Sequence, residues 1–161
     1  MKDRTFPHIP KSSKSLEPGD FWSIPLDGGR FACGRVIGRW PASWRGSQRG
    51  FFAGLLDWVS DMPPTALGIA GAGTLVQGGA HIKTILATGG FILGNRSLEI
   101  DSISPQLFIE YPDNCQAYVF RGMEQIRVAS EEDVRRLPKL STFGFMFMRE
   151  YANHHLPRNA S

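Results

Sequence analysis

Eighteen glycines and eleven prolines are spread through these 161 residues, and no other feature limits the choice of fold so much. In a helix interior, glycine costs about 1 kcal/mol relative to alanine and proline about 3 kcal/mol. Long helices do not survive that punctuation; short strands joined by turns do. The clearest case is Phe21 to Leu26, where Trp22, Ile24 and Leu26 alternate onto one face. Asp27-Gly28-Gly29 follows as a turn and Arg30 to Trp40 resumes as a second strand. Asp-Gly and Gly-Gly supply the positive φ that a tight hairpin needs.

The rest of the chain reads in the same terms. Pro7, Pro10 and Pro18, with a Ser/Lys cluster between them, make residues 1–18 a flexible basic leader, and residues 19–161 a single domain. Phe51 to Trp58 is apolar on both faces, as an interior strand would be. Residues 67–80 are dominated by glycine and carry no clear period. His81 to Thr88 reads as a strand, Gly89-Gly90 as a turn, and Phe91 to Leu93 as a short strand. Leu107–Tyr111 and Gln116–Arg121 form a hairpin around Pro112-Asp113-Asn114. Ser130, followed by Glu131, Glu132 and Asp133 and then Arg135 and Arg136, predicts a capped helix. Thr142 to His154 predicts a second, with Phe143, Phe147 and Tyr151 on one face. The expected fold is α+β and mainly β: an antiparallel curled sheet or barrel-like core with one or two C-terminal helices.

Composition removes several classes of function. Apolar residues at 42% and charged residues at 20% are globular proportions, which argue against disorder. No apolar run is long enough for a membrane span, and the N-terminus lacks a signal-peptide core, so a cytoplasmic protein is expected. Cys33 and Cys115 lie far apart without nearby ligands, as reduced thiols rather than a metal site.

The glycine-rich Gly68 to Gly79 suggests a nucleotide loop but fails in detail. Gly78 is followed by Gly79 and Ala80 instead of the Lys-Ser or Lys-Thr of a P-loop. After Gly71 and Gly73, Val76 stands where a dinucleotide fingerprint needs its third glycine. His154 and His155 are adjacent and point apart on a helix, and His81 alone is a weak candidate base. Asp57 with Asp61, and Glu110 with Asp113, are carboxylate pairs with nothing to mark them. No enzyme, cofactor or metal is expected.

Residues 1–50 hold nine Lys or Arg against four Asp or Glu, a bias that suits an acidic partner or nucleic acid. Gly19 to Leu26 resembles the first strand of small SH3-like barrels. Arg35, Arg39, Arg45 and Arg49, with Trp40 and Trp44 among them, could combine phosphate contacts with stacking. A net charge of +3 is low for that task, so nucleic acid is the alternative rather than the expected partner.

Pro18-Gly19-Asp20-Phe-Trp-Ser-Ile24-Pro25-Leu26, a turn, and Arg30-Phe31-Ala-Cys-Gly34-Arg35-Val36-Ile37 together resemble the start of the immunity protein 26 family. His81-Ile-Lys83-Thr-Ile85 with Gly90-Phe-Ile-Leu-Gly94 is similar to that family's second region. The resemblance spans Gly19 to Phe120. It implies a bacterial protein that binds and neutralises the effector domain of a cognate secreted toxin, and it implies no catalytic residue. Trp40, Trp44, Arg45 and Arg49, in and beside the loop after the first hairpin, are the expected partner-binding residues, since tryptophan and arginine most often carry interface energy.

Overall fold

The structure is a computed structural model that describes residues 4–44 and 46–157. Their eight strands form two antiparallel sheets. The larger contains β1 (Asp20–Pro25), β2 (Phe31–Arg39), β3 (Gly50–Ser60), β4 (Thr74–His81) and β5 (Ile92–Asn95), in the order β4-β3-β2-β1-β5. The smaller has the order β6-β7-β8, from β6 (Leu107–Glu110), β7 (Tyr118–Arg121) and β8 (Glu124–Val128). Helices α1 (Lys83–Leu86), α2 (Glu131–Arg136) and α3 (Phe147–His155) complete it. The fold is mainly β with a C-terminal helix, as the sequence predicts, and the sheets stay open rather than closing into a barrel.

The larger sheet is covered on both faces, which explains why β3 is apolar on both. One face packs Trp22, Ile24, Val36, Phe51 and Leu55 against Ile82 before α1 and Ile85 within it, and against Met148 and Ala152 of α3. The opposite face packs Phe21, Cys33, Ile37, Phe52 and Leu56 against Phe108 and Phe120 of the smaller sheet. The smaller sheet's outer face, Ile109 and Val119, is covered by Ala129 and Leu137, which flank α2.

Several glycines of the sheet are seats for aromatic rings. A Cβ at Gly34 would lie 2.3 Å from the indole of Trp22, and one at Gly50 would lie 2.1 Å from that of Trp40. Gly78 in the unclear 67–80 stretch does the same for Phe143, at 2.6 Å. Any side chain there would push the ring off the sheet, so strands of low β propensity are stabilised by the rings they carry.

Several expectations need correction. Residues 82–88 are not a strand: the chain leaves the sheet at His81 and turns into α1. Ile82 and Ile85 are both buried in one cluster. A three-residue spacing puts two side chains on one face of a helix but on opposite faces of a strand. The last helix begins at Phe147 rather than Thr142, because residues 141–143 pair with β4 instead. The Gly79 N–H donates to Ser141 O, and the Phe143 N–H to Gly79 O. The aromatic face survives nonetheless, with Phe143 stacked on Phe147 at 4.5 Å. Strand β8 has no counterpart among the expected strands. The capped helix is present as read, with Ser130 and Asp133 forming a reciprocal capping box.

Residues 4–18, read as a loose leader, pack on the sheet. Leu16 is buried in the α3-side core, His8 bridges to Ile92 of β5, and Arg4 makes a two-armed pair with the fully buried Asp20. Asp20 also accepts from Asn95 and from the Glu17 backbone, so its carboxylate is satisfied on every side.

Short straps cover three of the four sheet edges. Residue 8 lies on β5, Thr142 on β4 and Lys139 on β6. Strand β8 has no such strap among the described residues, and all five of its residues are exposed.

Candidate functional site

Where β2 ends, Trp40 folds back over Gly50 and reaches to within 3.4 Å of where a Cβ on Gly79 would stand. A turn then brings Trp44 alongside, its backbone N–H donating to Pro41 O at 2.9 Å. The two indoles meet edge to face at 5.9 Å, and Trp44 lies 6.1 Å from the ring of Phe120 in β7. Both tryptophans remain half-buried. They form one wall of an open groove of about 1060 Å³, whose other wall includes Pro105, Tyr111, Pro112, Met123 and Leu140. Phe52 and Phe120 lie at its floor. Arg39, Glu110, Arg121 and Glu124 also line it, so charges of both signs surround an apolar interior. The Trp40 indole N–H is buried and has no hydrogen-bond partner among the described residues.

The structure therefore joins Trp40 and Trp44 and separates Arg49 from them. Arg49 is exposed before β3, and its carbonyl accepts from the Ile82 N–H at 2.8 Å, which places it beside His81 rather than in the groove. Arg45 lies outside the described residues. The second wall was invisible in the sequence, because Tyr111, Met123 and Leu140 join the tryptophans in one groove only through long-range docking of the smaller sheet.

Other chemistry-bearing groups are accounted for locally. Burial, then the nearby Lys83 and Arg49, lower the pKa of His81, and its Nδ1 accepts from the Lys83 N–H at 3.1 Å. Burial pushes the Cys33 thiol up. Cys33 and Cys115 are both free, the first buried and the second exposed. Asp113 accepts from the backbone N–H groups of Cys115 and Gln116. Asp101 accepts from Arg96 at 2.8 Å, from Arg35 at 3.2 Å and from the Gly71 N–H at 2.8 Å. Those bonds, Arg96 foremost, hold its pKa down at about 2 against the cost of burial. This cluster ties the β3–β4 loop to the sheet. Among the described residues no group of three or more His, Cys, Asp or Glu could hold a metal ion, and no helix is long and apolar enough to cross a membrane.

No protein-family model, curated protein or solved structure matches the chain.

Proposed function

We propose that this chain is a bacterial immunity protein, one that neutralises a cognate secreted toxin by binding its effector domain. The observation that carries the reading is the open aromatic groove beside Trp40 and Trp44. Its walls are apolar and aromatic, its floor takes Phe52 and Phe120 from the two sheets, and its charges are mixed. Apolar area withdrawn from water there is worth about 25 cal/mol per Å², and tryptophan is among the residues that most often carry interface energy. The resemblance of Pro18 to Ile37 and of His81 to Gly94 to the immunity protein 26 family supports the same reading and names the class of partner.

The test is protection in cells. A toxin encoded beside this gene, expressed from one plasmid, should kill unless this protein is supplied from a second. Trp44→Ala should fold and weaken toxin binding by about 2 kcal/mol, the usual hot-spot threshold. If Trp44→Ala protects as well as the parent, the groove is not the interface. If the parent protein instead binds RNA at physiological salt with a steep salt dependence, nucleic-acid binding replaces this reading.

A further inference from the structure

The larger sheet has a basic end. Arg39 closes β2, Arg49 precedes β3, and Lys83 follows β4, where His81 pairs with Gly50. The N-terminal segment adds Lys11 and Lys14, because Ser13 between them bonds to the 46–49 turn: its N–H donates to Gln48 O at 2.8 Å and its hydroxyl to Ser47 O at 2.6 Å. All five cations are exposed. None takes part in an ion pair among the described residues. At this end Asp20 and Glu17 are both held by Arg4, while Glu110 and Glu124 line the adjoining groove with Arg39. Asp57 and Asp61 stand at the far end of β3, and Asp27 in the turn beyond β1. Exposed cations outside ion pairs thus gather at this end of the strands, although the net charge is only +3.

An exposed ring sits within this patch. Phe145 lies 5.6 Å from the imidazole of His81, with Lys83 Nζ 5.3 Å from its ring centroid. Burial, and after it the charges of Lys83 and Arg49, lower the pKa of His81. The patch is continuous with the groove through Trp40, which lies over Gly50 and Gly79, while His81 stands two residues beyond Gly79 on the same face of β4.

We propose that this basic end docks an acidic polypeptide surface, steering a protein partner so that an apolar side chain enters the adjoining groove. Its cations are unpaired and face water, as long-range steering requires. Nucleic acid fits less well: a phosphate chain continuing along the groove would meet Glu110 and Glu124. That the partner is a protein rests on the function proposed above; the electrostatics of the patch do not.

The experiment uses the full chain and two labelled probes, a fifteen-residue poly-L-glutamate and a polyuridylate of equal length, followed by fluorescence anisotropy across a salt series. The parent should bind poly-L-glutamate at low salt and release it steeply as salt rises. Arg49→Glu/Lys83→Glu should lower that affinity about tenfold or more, and Arg49→Gln/Lys83→Gln by a smaller factor, all these sites being exposed. Arg135→Glu/Arg136→Glu on α2 makes the same change in net charge elsewhere and should cost less than about threefold. Equal losses in the two charge-reversed proteins would reduce the effect to net charge and overturn the proposal. So would no binding by the parent, or polyuridylate binding tenfold tighter than poly-L-glutamate. Retained poly-L-glutamate binding with no protection in cells would instead sink the toxin reading and leave the docking surface standing.

Discussion

On the α3 side of the larger sheet, Trp22, Ile24, Val36, Phe51 and Leu55 form one buried apolar cluster. On the opposite side the same strands hold the buried Arg35, the Cys33 thiol and the floor of an open groove. Each side has a tryptophan laid over a glycine. Trp22 over Gly34 is fully buried and packed edge to face on Phe51 at 5.8 Å. Trp40 over Gly50 is half-buried, with room beside it. One local device thus serves two ends: where a helix closes over the ring it builds core, and where a second sheet stops short of it the ring becomes a surface. What surrounds the seat, rather than the seat, decides which.

The largest effect should come from the charged side. Asp101→Asn leaves Arg35 without its carboxylate in a buried site, and breaking such a pair typically costs about 3–5 kcal/mol, measurable by urea unfolding. Because the folded-state pKa of Asp101 lies below its unfolded value, its contribution is complete above the ordinary carboxylate range. It is lost as pH falls through that range towards about 2. The Asp101→Asn variant should therefore have a flatter acid limb in its stability curve, and an unchanged limb would remove the cluster from the account of acid stability.

Next, the two seats can be compared directly. Gly34→Ala should destabilise by about 3 kcal/mol, since Trp22 has nowhere to go. Gly50→Ala should cost about 1 kcal/mol, because Trp40 can swing into the groove, and tryptophan fluorescence should shift to the red only in that variant. Equal costs would mean that the groove is no more yielding than the core.

The smallest perturbation is chemical. Native protein treated with iodoacetamide should be modified at Cys115, which is exposed, and at Cys33 only when the second face opens. Fast labelling of Cys33 in water would show that the smaller sheet lifts off readily.

Local features were legible in the sequence and long-range ones were not. The first hairpin, the Ser130 cap and the interior character of Phe51 to Trp58 depend on neighbours in sequence, and each is found where the pattern puts it. The glycines of residues 67–80 had no local explanation, because their reason, Phe143 on Gly78, arrives from the far end of the chain. The same holds for the groove. Trp40 and Trp44 could be picked out as large rings in a polar loop, but the wall that Tyr111, Met123 and Leu140 supply has no signature near them. Ile82 and Ile85 misled for a different reason: in so short an apolar run, alternation and helical spacing overlap.

The straps along the sheet edges carry a consequence for how the chain is made. A ribosome delivers β3 and β4 well before it delivers Ser141 to Phe143, and β6 before Pro138 to Leu140. Until then the nascent chain carries two bare strand margins at once, of the sort that recruit foreign strands. One short stretch, residues 138–143, closes both, donating to or accepting from Ile109 and Gly79. Delivery of residues 138–143 therefore acts as a latch, and a ribosome stalled before Pro138 would leave a tethered chain whose strands are made but whose margins still invite aggregation.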